Sequence, residues 1–338
     1  MKKRFDERDT IFSRMLEISP FTDNYTDYYR RNPEREEQDA KLREETEGVF
    51  SPRKAEQRQI AAIFALIKEL RPLAGHLGGK SPSTSALQME AGPAAGRIKK
   101  IALSYGALSC GITETDLAWA YSVRGRGPHY GKKAGVILPR TIVFTAEMDE
   151  NEINRAPAVE ESVEVVKAYL NVAVIGLALS SIIRGWGWNA VCHMDGESEL
   201  VLPPAAEAAG LGSIGLPGLL VTRECGSRIR IGAVTTDMPL ASDGPSSFQV
   251  AKTCRTCGKC AELCPSGCIP SFSSYKSGER FSIDSEACFR TWRELGTDCG
   301  VCLAACPYSH QKAKDKNSGA SGDEPAADFL KGFMFGGD

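Results

Sequence analysis

The chain has 338 residues, 42% of them hydrophobic and 25% charged, enough for one large globular domain and a smaller module. Lys and Arg number 41 against 43 Asp and Glu, a formal charge of -2, which gives no basic footprint for nucleic acid or an anionic membrane. No nucleic-acid partner is therefore expected. The N-terminus, MKKRFDERD, lacks an apolar region and a twin arginine, so it does not read as an export signal. A cytoplasmic location is expected.

Residues 1–58 are densely charged and read as a solvated arm of helix and loop. RQIAAIFALIKEL then places Ile60, Ile63, Leu66, Ile67 and Leu70 at helical spacing, so residues 1–85 are taken as an arm plus a helix. PLAGHLGGKSPSTS reads as a loop, AAGRIKKIALSYGA as a helix and TIVFTAEM (141–148) as a strand. A long helix is predicted over 159–184, ended by Gly185-Trp186-Gly187; its apolar stretch, Tyr169 to Ile183, is too short for a membrane span. WNAVCHM predicts a short strand, PPAAEAAG a helix opened by proline, and RIRIGAVTTD (228–237) another strand. This alternation argues for an α/β (α+β) domain over 86–245. A cysteine-rich module follows over 246–312, and 313–338 reads as a linker with an apolar tail, DFLKGFMFGGD, expected to dock.

Twelve cysteines are present, nine of them between Cys254 and Cys306. A chain this long, with no secretion signal, does not need disulfides, so the island points to metal. Cys254-x2-Cys257-x2-Cys260-x3-Cys264-Pro265 has the spacing of a bacterial 4Fe–4S run, and Cys299-x2-Cys302-x3-Cys306-Pro307 repeats its second half with Cys288 upstream. Three closely spaced thiolates hold one cube while the fourth reaches the other. The spacing therefore assigns Cys254, Cys257, Cys260 and Cys306 to one cluster, and Cys264, Cys288, Cys299 and Cys302 to a second. Two structural zinc sites are the other reading of such pairs. Cys268 lies outside the pattern and, like Cys110, Cys192 and Cys225, reads as a packed free thiol.

Gly210-x-Gly212-x-x-Gly215 matches a dinucleotide fingerprint, but it follows a helical segment instead of a strand. Glycines also let backbone approach a large ligand, so Gly210, Leu211, Gly212, Ser213 and Gly215 are candidate cofactor contacts. His193-x-x-Gly196 is part of a corrinoid-ligating pattern, yet Val191 stands where that pattern has Asp, so His193 is not expected to bind cobalt. Tyr169, read from the residues alone, is a core aromatic on an amphipathic helix.

Several stretches in this order resemble the cobalamin-dependent reductive dehalogenases, relatives of epoxyqueuosine reductase. They are FDERDTIFSRM with YTDYYRRNPE, TIVFTAEMD, YLNVAVIGLALSSIIRGWGW, AEAAGLGSIGLPGLLVTRECGSRIRIGAVTTDMPL, the double cysteine motif and FMFGG. The resemblance implies a nitroreductase-like domain holding a base-off corrinoid (cobalamin), followed by a ferredoxin-like module with two 4Fe–4S clusters. It further implies Tyr169 as proton donor, Arg228 as the guanidinium that lowers its pKa, and Asp195 as the nearest counterpart of a third catalytic residue. The implied reaction is reductive removal of halide from an organohalide, driven by a low-potential donor of ferredoxin or flavodoxin type. Reduction of epoxyqueuosine in tRNA is the nearest rival, although its PVxER stretch is replaced here by VLPPAAE. A non-catalytic electron carrier or corrinoid-handling protein is a third reading.

Overall fold

The computed structural model describes residues 4–44, 55–75, 85–135, 137–274 and 282–310. The loop with His76 and the apolar tail expected to dock lie largely or wholly outside the described residues.

Helices α1 (Ile11–Leu16), α2 (Asp23–Arg31) and α3 (Glu36–Glu44) form the N-terminal arm. It is not the solvated arm that its charge suggests. Arg14 Nε donates to Asp39 Oδ2 at 2.8 Å with both side chains at most 2% exposed, and Tyr29 Oη donates to the same oxygen at 2.8 Å. Buried Glu7 accepts from Gly125 N at 2.8 Å and from Arg126 Nε at 3.1 Å. Ile11, Phe12 and Leu42 meet Phe289 and Trp292 of the cysteine-rich module. The buried charges Glu7, Arg14 and Asp39 find partners distant in sequence, which local composition does not show.

The central region comprises α4 (Ala55–Leu70), α5 (Ala91–Ser104), β1 (Ser109–Glu114), β2 (Arg140–Glu147), α6 (Glu150–Ile153), α7 (Val159–Gly185), β3 (Ala190–His193), α8 (Leu202–Ala208), β4 (Ser213–Ile214), β5 (Leu220–Val221) and β6 (Ile229–Thr236). Four strands make a sheet in the order β1-β2-β6-β3, antiparallel at every pair. The mixed helix–strand layering is present, and α+β is its narrower description. Side chains alternate across a strand. Ile142, Phe144 and Ala146 of β2 accordingly join the core under α5 and α7, while Val143 joins Ala205, Ala206 and Ala209 of α8. Helices thus cover both faces.

Phe144 lies opposite Gly232 in the β2–β6 register. A methyl group on Gly232 would stand 2.5 Å from the Phe144 ring and 3.0 Å from Val172 Cβ. Gly232→Ala is expected to cost about 1–3 kcal/mol by overpacking, seen as a lower urea midpoint at constant m-value. A midpoint equal to the parent's would show that the ring moves aside freely.

Helix α7, at 27 residues, is long and apolar enough to cross a membrane, which corrects the shorter apolar stretch read from sequence. Here it packs on β6, β3 and α4, burying Val172, Ile175, Leu179 and Ile183 in the main core and Val166 against Ile60 and Ile67. The module completes the chain with α9 (Ala251–Cys257), α10 (Lys259–Glu262), α11 (Ser285–Leu295) and α12 (Val301–Ala304).

Candidate active site

Short helices present the cysteines. Helix α9 carries Cys254 and Cys257, and Gly258, at φ 62°, breaks the helix so that α10 can bring in Cys260. These three and Cys306 line one small cavity together with Gly215, Pro217 and Tyr308. A second group, Cys264, Cys288, Cys299 and Cys302, lines a larger cavity of about 410 Å³. Cys299 (φ 71°) and Gly300 (φ 65°) turn the chain ahead of α12, which carries Cys302. The two quartets adjoin, with Cys260 close enough to Cys302 to influence its charge.

Among the described residues, no three His, Cys, Asp or Glu side chains converge at the spacing of a single ion. A mononuclear zinc site needs its sulfurs about 2.3 Å from one point. Each thiolate of a 4Fe–4S cube binds its own iron, so the four stand around a volume. Each quartet lines a cavity of its own. The outlying Cys110, Cys192 and Cys225 are thiols whose pKa burial pushes up to about 12.

Across the larger cavity from sequence-distant elements come Tyr169 of α7, Arg230 of β6, and Tyr121, Arg126, Asp195 and Asp298 from loops. The Arg230 guanidinium lies over the Tyr169 ring, 5.0 Å from its centroid. Burial pushes the Tyr169 phenol above its ordinary pKa, and Arg230 pulls against that. Burial prevails. The phenol therefore keeps its proton near neutral pH, whereas the guanidinium alone would favour phenolate. Arg230 Nε is buried with no hydrogen-bond partner among the described residues, and Nη2 lies 4.0 Å from Asp298 Oδ2. A cationic donor with spare capacity beside a phenol suits an anionic or phenolic ligand.

Burial also pushes Tyr121 and Tyr130 up to about 12. Groups raised in the folded state stabilise it fully while the unfolded chain is still protonated. Stability should therefore be whole below about pH 9, where unfolded thiols begin to ionise, and should fall as pH rises towards 12. Urea midpoints measured from pH 8 to 11.5 check this; a midpoint rising over that range would refute it.

Arg228 does not accompany Tyr169, a correction to the pairing drawn from the resemblance. It sits in the turn ahead of β6, its N–H closing on Cys225 O at 3.1 Å. Its guanidinium holds Ser309 O at 2.6 Å, Glu147 Oε1 at 3.2 Å and Met148 O. Arg230, two residues on, is the cation at the cavity. Asp195 does reach the cavity, held between Arg126 (Nη1 to Oδ1, 3.3 Å) and Arg71 (Nη2 to Oδ2, 3.4 Å).

The glycine segment also has another explanation. A Cβ on Gly210 would meet Gly244 O at 2.7 Å and one on Gly212 would meet Val221 O at 2.4 Å, so both serve close approach of the chain to itself. Leu211 packs against the α8 core, and Ser213 Oγ reaches Gln249 Oε1 at 3.4 Å. None of Gly210, Leu211, Gly212, Ser213 and Gly215 lines the larger cavity; Gly215 lines the smaller one beside Cys254. Arg126 and Asp298 carry no motif. Only their positions in the fold reveal them.

No described histidine lines the larger cavity. His193 Nε2 donates to Thr235 Oγ1 at 3.0 Å and Nδ1 accepts from Glu199 N at 3.2 Å, so both ring nitrogens are engaged. Leu202, Pro203, Leu219, Leu220, Ile229 and Ile231 give the cavity an apolar wall. That wall suits one flank of a flat macrocycle, while the volume is that of a small-molecule pocket and encloses only part of a corrinoid.

Residues 253–313 match the 4Fe–4S dicluster domain family. The layered α+β region precedes this stretch. The chain is 35% identical over 198 residues to a tetrachloroethene reductive dehalogenase of Desulfitobacterium hafniense, covering 54% of this chain and 35% of that protein. An epoxyqueuosine reductase of Atelocyanobacterium thalassa is 30% identical over 129 residues, 33% of this chain and 38% of that one. A solved catabolic reductive dehalogenase in complex with 3-bromo-4-hydroxybenzoic acid shares the fold, with a TM-score of 0.67 and 22% identity, over 92% of this chain and 42% of that chain. The matched stretch thus spans about a third of the curated dehalogenase's length. The chain is similar to reductive dehalogenases in sequence over about half its length and in fold, and it contains a 4Fe–4S dicluster match.

Proposed function

We propose that the chain acts as a corrinoid-dependent oxidoreductase that removes halide from an organohalide. The observation that carries this reading is that one cavity holds the Tyr169 phenol, the Arg230 guanidinium and the second cysteine quartet. A corrinoid bound at the apolar wall would supply a low-potential metal centre for reducing the carbon–halogen bond. The net change is two electrons and one proton taken up, with a carbon–hydrogen bond formed and halide released. The chain's own residues supply the rest. The first quartet holds the cluster that accepts electrons from a ferredoxin- or flavodoxin-type donor, and the second holds the cluster facing the cavity. Tyr169 delivers the proton, and Arg230 restrains its pKa and holds a departing halide or a phenolic substrate oxygen.

The test is anaerobic reconstitution of the chain with iron, sulfide and cobalamin, reduction by viologen, and assay of halide from tetrachloroethene and 3-bromo-4-hydroxybenzoic acid. Absence of cobalamin uptake would end this reading. Turnover of epoxyqueuosine-containing tRNA without halide release would favour the relative of 30% identity. Reducible clusters with no turnover of either substrate would leave an electron carrier.

The Arg230 role has its own signature. Activity needs protonated Tyr169, so the rate falls as pH rises through that pKa. Removing the guanidinium lets burial raise the pKa further. Arg230→Met should move the alkaline limb of the rate profile to higher pH, whereas Arg228→Met should leave it in place. Equal shifts in both variants would remove Arg230 from this role.

A further inference from the structure

A fifth thiol stands at the second quartet. Gly267, at φ 61°, turns the chain after Cys264, its N–H closing on Cys264 O at 3.0 Å. This turn brings Cys268 Sγ to 3.4 Å from Cys264 Sγ. Cys288 belongs to the same packed cluster and is near enough for the two thiols to influence each other's ionisation. Its carbonyl accepts from the N–H of Asp284, the N-cap of the helix that carries Cys288. Cys268 is 4% exposed and lines the same cavity as the quartet. It therefore lies between two members of one quartet and is tied by backbone to both segments. An inert packed thiol needs only apolar neighbours. Cys268 has Leu216 and Ile269 on one side and sulfur on the other.

We propose that Cys268 is a reserve ligand of the second cluster, able to take the iron that Cys264 holds. The proposal rests on the reading of Cys264, Cys288, Cys299 and Cys302 as ligands of a cube, which the dicluster match over 253–313 supports independently. In the exchange, the iron–sulfur bond to Cys264 breaks and one to Cys268 forms. The Cys268 thiol proton passes to the Cys264 sulfur, and no iron changes oxidation state. The two positions differ in access: Cys264 is partly exposed whereas Cys268 is buried. Exposed thiolates are the first to be oxidised or alkylated. The reserve ligand thus lies where damage arrives later.

Iron, acid-labile sulfide and the electron paramagnetic resonance of the reduced clusters are measured on the full chain after anaerobic reconstitution. Cys268→Ala should keep the parent's iron, since Cys264 remains. Cys264→Ala should also keep it, with a changed second-cluster spectrum. The double variant should lose about half the iron, one cube of two. Cys264→Val repeats the comparison with different bulk if the alanine variant misfolds. Loss of half the iron in Cys264→Ala or Cys264→Val alone, or full iron in the double variant, overturns the proposal. Parent protein with iron but no acid-labile sulfide overturns the cube reading and the proposal with it.

Discussion

Tyr169→Phe is expected to lower halide release by about a hundredfold or more, while iron content, cobalamin uptake and the urea midpoint stay at parent values. The substitution deletes only the phenolic oxygen, and the ring keeps its contacts with Phe64 and the Arg230 guanidinium. A positioned acid contributes about 10²–10⁴-fold to a step that needs a proton. Burial raises the phenol's pKa, so Tyr169 is already protonated near neutral pH, and lowering the pH should not rescue the variant. Solvent isotope incorporation provides a second readout: proton uptake should remain the slow step in the variant. Unchanged halide release would assign the proton to another donor and leave Tyr169 as a wall of the cavity.

Asp39→Ala should destabilise the fold by about 3–5 kcal/mol, a larger effect than that expected for Gly232. Asp39 is the inner partner of Arg14 and also accepts from Tyr29 Oη. Its removal leaves a buried guanidinium with Glu286 and Asp9 O as remaining partners. Desolvation of that cation is then compensated poorly, and the arm that joins the sheet region to α11 should loosen. Arg14→Met with Asp39→Leu should recover most of the loss, because an apolar pair avoids both desolvation terms. Urea unfolding of the three proteins checks both statements. A loss below about 1 kcal/mol in Asp39→Ala would mean that the arm contributes little to the global fold.

The parts of this architecture that were legible in sequence have strong local periodicity or rigid spacing. The cysteine runs are one case, and α4, α5, α7 and β6 are others. The edge strand β1, reading SCGITE, shows no such pattern, and it is recognised only by its pairing with β2. The charged arm was misread because charge signals solvent unless a partner is known, and Glu7 finds Gly125 across more than a hundred residues. The resemblance assigns the cation to Arg228 from residue order alone. It does not reveal that β6 begins at Ile229, with Arg228 still in a turn. The GxGxxG spacing was real, but its physical cause is close contact of the chain with itself at Val221 and Gly244.

Helix α7 sets the spacing between the Tyr169 phenol and the cysteine loop. Glu161, near its start, contacts the cysteine loop at Gly300, and Tyr169 lies two turns further along. At 1.5 Å per residue, that interval is a rigid ruler of about 12 Å between the two ends of the cavity. Substitutions along it can change chemistry without changing length. A one-residue deletion between Glu161 and Tyr169 would rotate the phenol by about 100° and draw it about 1.5 Å towards the iron–sulfur module. Within the interval, homologous chains should therefore tolerate exchange of residues far better than any gain or loss of one.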